Sequence, residues 1–241
     1  MELHGDVRND PYYWMKQRDS KDVLDYIKKE NDYAEYTLAD TDSIADTLFK
    51  EMKARIKEDD TSAPYKYKDY FYYTRNEKGK EYSIHCRKKN EPDAVEEIIL
   101  DINLMAKGHK YYSARKIGVS PNQNILAFAF DTVGRRLYTI QFKDLKTGKI
   151  LDDKIENVTT NWVWADDSST GFYTHQDPKT LRWDTIYKYK LGENRSTKVY
   201  FEKDELFSAS VSGSMNEKMI FISTGSFNSS EYHYIPSDKP D

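Results

Sequence analysis

Two different spacings of apolar positions divide the chain. As far as Pro64, apolar side chains recur at helical intervals. Val23, Ile27, Ala34 and Leu38 share a face behind the capping candidate Ser20, and Ile44, Leu48, Met52 and Ile56 step by four behind Thr41 or Asp42. The spacing predicts two amphipathic helices joined by a short polar turn, each with acidic residues at its start, where the helix dipole is positive. The run from Glu58 to Pro64, with an aspartate pair and a closing proline, marks a boundary.

Beyond Pro64 the period falls to two, and a pair of strands recurs four times. The first strand of each pair begins at Phe71, Ile125, Gly171 and Met219; the second begins at Tyr82, Leu137, Ile186 and Tyr232. Polar turns from Ser120 to Asn124, Ala165 to Ser169 and Ser212 to Glu217 announce the last three units, and the connectors carry Gly79, Gly134, Gly225 or Pro178. Several short strands in a period in the forties are the mark of propeller blades, which must stack because one blade cannot bury both its faces alone. A sandwich of hairpins would instead show turns at steady 8 to 12 residue spacing without the long repeat. The expected fold is therefore mainly β: residues 1–64 as a helical amino-terminal extension, and residues 65–241 as a partial β-propeller of about three and a half blades.

Composition sharpens this picture. Of the 241 residues 20 are Tyr, while Leu, Ile, Val and Phe together make up only about a fifth. Tyr favours pleated, half-wet surfaces, so it is expected to stack blades. The longest apolar runs, such as Ile125 to Phe130, fall far short of the roughly 20 residues of a membrane helix, so no membrane partner is expected. A start without a signal-peptide pattern and a single cysteine, Cys86, point to a cytoplasmic protein without disulfides. Sequons at Asn157, Asn194 and Asn228 read as polar turns in that setting.

Charge is uneven: residues 1–64 carry 10 basic and 16 acidic side chains, residues 65–150 carry 17 and 10, and the remainder 10 and 15. The basic middle holds the Tyr-Lys run from Tyr65 to Tyr73 and Arg87-Lys88-Lys89, a combination that could stack bases and contact phosphates. The simpler reading is a strand with Tyr inward and Lys solvated outward. The whole chain is acidic, with a net charge of −4, and repels a polyanion at long range, so no nucleic-acid partner is expected.

Catalytic signatures are absent from the sequence. There is no G-x-S-x-G elbow, H-E-x-x-H helix, phosphate-cradling loop or dinucleotide fingerprint, and Gly213-Ser214 and Gly225-Ser226 read as turns. The histidines, His4, His85, His109, His175 and His233, are scattered. His175 near Asp177 suggests a strand-end hydrogen bond, and His85 and Cys86, adjacent on a strand, point to opposite faces and cannot share a ligand. No catalytic residue, cofactor-binding residue or metal ligand is assigned.

Several segments, taken in order, resemble the prolyl oligopeptidase family of serine peptidases, and within it the oligopeptidase B, or protease II, group. They are Asp10 to Met15, Glu30 to Tyr33, Met52 to Pro64, Asp69 to Arg75, Glu96 to Tyr112 with its Leu-Asp-x-Asn core, Ser120 to Ile140, and Leu181 to Gly192. The resemblance spans essentially the whole chain. It implies a helical extension and the first blades of a seven-bladed propeller, which in complete members caps an α/β-hydrolase domain and admits only short peptides, cleaved after Arg or Lys. In such members the triad lies beyond the propeller, so no catalytic position carries over and the chain alone is expected to be inactive. The partners implied are the parent's own hydrolase domain and short basic peptides. The rival expectation is a stand-alone propeller-type interaction module. In either case open blade edges invite self-association.

Overall fold

A computed structural model describes residues 2–240; the chain divides between Lys57 and Glu58 into two compact units.

In the first unit, a two-stranded ribbon of β1 (Glu2–Leu3) and β2 (Asp6–Val7) precedes a short 3-10 turn, Tyr13–Lys16. Helix α1 (Lys21–Leu38) starts as the spacing predicts, with the Ser20 hydroxyl accepting from the Val23 amide. A 3-10 turn, Ala39–Thr41, joins it to α2 (Asp42–Ala54). Helix α2 ends at Ala54, two residues short of Ile56, the last position of the expected stripe. Of the two apolar stripes, Val23 is buried, whereas Ile27, Leu38, Ile44, Leu48 and Met52 are all exposed.

In the second unit, the strands are β3 (Tyr65–Tyr67), β4 (Tyr70–Arg75), β5 (Ile84–Lys89) and β6 (Glu96–Asp101), then the helical turn α3 (Ile102–Met105). There follow β7 (Ser113–Val119), β8 (Ile125–Asp131), β9 (Tyr138–Asp144) and β10 (Ile150–Trp164). The last are β11 (Thr170–Gln176), β12 (Trp183–Lys190), β13 (Arg195–Phe201), β14 (Ser208–Gly213), β15 (Met219–Gly225) and β16 (Ser230–Pro236). Every pairing is antiparallel and sequential, giving a four-stranded sheet β3–β6, a seven-stranded sheet β7–β13 and a three-stranded sheet β14–β16.

The seven-stranded sheet is two blades joined by one long strand. The first half of β10 pairs with β9 and closes the second blade; the second half pairs with β11 and opens the third. The register shifts on both sides of Val158, which partners Tyr138 on one edge and His175 on the other, and Asn157 just before it has φ +56°. The unit thus holds three four-stranded blades and three strands of a fourth: a mainly β, partial propeller.

Period-two alternation gives each blade two apolar faces, and three separate cores lie between successive blades. Leu126 and Phe128 of β8 face the first blade, with Tyr72, Leu100 and Ile102, while Ala127 and Ala129 of the same strand face the third, with Trp162, Tyr173 and Tyr189. Phe172 and Ile186 turn from the third blade to the fourth, meeting Ala209, Val211, Ile220 and Ile222. Burying one such phenylalanine contributes roughly 1.5–3 kcal/mol. At the first connection Asp101 caps α3, and Asn103 exchanges two hydrogen bonds with the Tyr82 backbone, which is the work of the Leu-Asp-x-Asn segment.

Candidate functional site

The inner strands β3, β7, the second half of β10, and β14 converge. A cavity of about 210 Å³ lies among the four blades, lined by Tyr67, Val119, Trp162, Trp164, Gly213 and Glu217. At one end of it each inner strand reverses into its neighbour through a turn with one non-glycine residue in the left-handed region. These are Lys68 (φ +51°), Gln123 (φ +64°), Ser168 (φ +59°) and Glu217 (φ +60°), one from each blade. Side-chain oxygens hold the turns in shape: Ser120 and Ser214 each donate to an asparagine two residues on and accept from the first amide of the next strand.

These turns are tied in a closed circuit. Lys68 Nζ donates to the Pro121 carbonyl at 3.1 Å, linking first blade to second, and the Asn122 amide donates to Ser168 Oγ at 3.0 Å, linking second to third. Ser237 Oγ donates to Asp166 Oδ1 at 2.7 Å and the Asp166 amide donates to the Ser237 carbonyl at 3.0 Å, linking third to fourth. Lys68 Nζ then lies 3.1 Å from Glu217 Oε2, returning from the first blade to the fourth. Tyr67, at the same mouth, has its phenol pushed up by burial and by its hydrogen bond to Glu217.

Beside the mouth, Tyr side chains and cations alternate. The Arg87 guanidinium sits 3.9 Å from the Tyr70 ring centre, and Lys116 Nζ lies 4.8 Å from that of Tyr72 while donating to Tyr65 Oη at 2.6 Å. Tyr72 stacks on Tyr65 and donates to Gln123 Oε1. The expected alternation of inward Tyr and solvated Lys is therefore half right. Tyr65, Tyr67, Tyr70 and Tyr72 do share one face, but Lys68, Lys116 and Arg87 are held against their rings, because a tyrosine face attracts a cation that has lost part of its water.

The residues singled out in the sequence do not come together. His85 lies on the face of Thr74 and Leu100 and Cys86 on that of Tyr73 and Ile98, as strand alternation requires. Burial pushes the Cys86 thiol up to about 12 and, with Lys116 nearby, the His85 imidazole down to about 4. His175 faces Asp184 across the β11–β12 pair at 3.5 Å, not Asp177, whose carboxylate caps its own turn through the Lys179 and Thr180 amides. Ser214 and Ser226 are bonded within their turns. Among the described residues no group of three or more His, Cys, Asp or Glu could hold a metal ion, and no helix is long and apolar enough to cross a membrane. The residues of the mouth carry no motif. Their signal is positional, since Lys68, Gln123, Ser168 and Glu217 occupy the same place in the four-fold repeat.

The model of the prolyl oligopeptidase amino-terminal β-propeller domain matches residues 1–241. The chain is 39% identical over 256 residues to dipeptidyl aminopeptidase BI of Pseudoxanthomonas mexicana, covering 98% of this chain and 35% of that protein. It is 33% identical over 252 residues to protease 2 of Moraxella lacunata, covering 99% and 36%. Among solved structures, oligopeptidase B of Leishmania major superposes with a TM-score of 0.90 at 32% identity, over 97% of this chain and 34% of that one. Oligopeptidase B of Trypanosoma brucei, in a closed form with covalently bound antipain, superposes with a TM-score of 0.87 at 30% identity, over 95% and 33%. The chain spans about a third of the length of these relatives. With helices, four sequential blades and a family match along its whole length, the chain belongs to the amino-terminal β-propeller domain family of the prolyl oligopeptidases.

Proposed function

We propose that this chain is the amino-terminal, propeller-bearing region of an oligopeptidase B-like serine endopeptidase that cleaves short peptides after Arg or Lys. In this reading the propeller is a size filter and lid over a hydrolase domain supplied by the rest of the parent, and the chain alone is catalytically silent. The observation that carries it is the agreement with Leishmania major oligopeptidase B through helices and blades alike. The exposed stripe of Ile27, Leu38, Ile44, Leu48 and Met52 supports a further domain as the partner of the helices, since so much apolar helix surface is seldom left in water. The outward face of the fourth blade, with Met219, Tyr232 and Tyr234 exposed, supports a further blade or, in the isolated chain, a second copy.

The test is the whole gene product containing these residues. It is expected to hydrolyse a short Arg- or Lys-containing peptide, to leave the same sequence intact within a folded protein, and to lose activity to a serine-directed inhibitor. Equal rates on peptide and folded protein would remove the filter. The similarity to dipeptidyl aminopeptidase BI favours a second reading, removal of dipeptides from a free amino terminus. Blocking the peptide's amino group abolishes cleavage in that case and leaves an endopeptidase unaffected.

A further inference from the structure

The circuit at the axial mouth closes across the axis as well as around it. Packed cores join the first blade to the second, the second to the third and the third to the fourth; among the described residues none joins the fourth to the first. What spans that gap is polar. Lys68 and Glu217 both sit on left-handed turn residues whose neighbours are hydrogen-bonded in place, so their side chains leave from fixed points. The Lys68 ammonium has one direction toward the Pro121 carbonyl at 3.1 Å, one toward Glu217 at 3.1 Å, and the Tyr67 ring centre 5.3 Å away. Its donors are thereby occupied by the first, second and fourth blades at once.

We propose that Lys68 and Glu217 form a clasp between the first and fourth blades, holding at one separation the two blades that no packed core joins. The clasp is independent of any peptidase activity. The side chains of Lys68 and Glu217 are 33% and 42% exposed, so salt reaches and weakens the pair.

The experiment uses the 241-residue chain with nitroxide labels at Asp69→Cys and Met215→Cys, both exposed and flanking the mouth; Cys86 is buried and stays unlabelled. Pulsed electron paramagnetic resonance is expected to give one narrow distance peak. Glu217→Gln, which leaves the Lys68 bond to Pro121 in place, is expected to broaden it at least twofold, with far-UV circular dichroism unchanged. Salt at 1 M is expected to broaden the peak of the labelled chain and to add nothing in Glu217→Gln. A peak that neither the substitution nor salt changes overturns the clasp while leaving the peptidase reading untouched. Failure of the whole gene product to cleave peptides leaves the clasp untouched.

Discussion

Gly171 lies so close to the six-membered ring of Trp162 that a β-carbon at position 171 would sit 2.0 Å from its Cζ2. The indole fills the space at the start of β11 and carries Phe142 and Tyr173 around it, with ring centres 5.0 and 6.5 Å away. Gly171→Ala must therefore displace a buried tryptophan at the seam between the second and third blades. The expected loss is about 3 kcal/mol or more in urea unfolding, with a changed near-ultraviolet circular dichroism spectrum. Gly192→Ala is the control: it has φ +82° but open space around it, so only backbone strain of about 1 kcal/mol is expected.

Arg87 is 3% exposed and has three roles: it stacks on Tyr70, donates to Glu97 at 2.7 Å and donates to the Gln123 carbonyl at 2.7 Å. Arg87→Ala leaves the Gln123 carbonyl without this donor, while Glu97, 42% exposed, falls back on water, so a loss of about 1–3 kcal/mol is expected. Arg87→Lys keeps the charge but not the flat fork, and is expected to recover less than half of that loss in the same denaturation assay.

His85 is held neutral by burial, with its pKa pushed down to about 4 from the usual 6.5 of a free imidazole. The unfolded chain takes up a proton as pH falls through about 6.5, whereas the folded chain resists until about 4, so stability is full above the upper value and declines between the two. The decline attributable to this residue is about 3 kcal/mol at most. Thermal melts from pH 7 to 4 are expected to show a shallower acid limb in His85→Gln. Parallel limbs would assign the acid sensitivity to other groups.

Tyr232 and Tyr234 lie on the open face of the edge strand β16, opposite Ser223 and Phe221. Sedimentation velocity of the isolated chain is expected to show association that rises with concentration. Tyr232→Glu with Tyr234→Glu is expected to shift the material at least severalfold toward monomer, since like charges on an edge oppose pairing. A monomer at all concentrations would contradict this.

The legible parts of the fold were those in which one residue type repeats at one spacing. Ser20 and the four-step ladder from Ile44 announce the helices, and the recurring strand pairs announce β4 with β5, β8 with β9, β11 with β12 and β15 with β16. Of the inner strands, β3 falls in the Tyr-Lys run that reads as a strand, whereas β7 and β14 are not legible: their places in the fold come from pairing along one edge, and their own sequences carry little hydrophobic contrast. Strand β10 was hidden for a different reason. It changes blades at Val158, so no single alternation holds along it. The mouth was invisible for a third: Lys68 and Glu217 are ordinary turn residues until the blades bring them to 3.1 Å. His175 illustrates the limit of reading neighbours. Asp177 is closer in sequence, but the irregularity in the β11–β12 register beside Thr185, the partner of His175, brings Asp184 to the ring.

The continuous strand β10 makes the second and third blades one mechanical piece. A shear between them would have to break hydrogen bonds to β9 or β11 on a strand that has no loop in which to bend, only the twist at Asn157 and Val158. The first and fourth blades attach differently, through the connectors 102–112 and 202–207, which belong to no sheet and, apart from the α3 turn, carry no helix or strand. Load on the array will therefore part the seams at its two flanks before the one at its centre, and the flanks are the two pieces that Lys68 and Glu217 join.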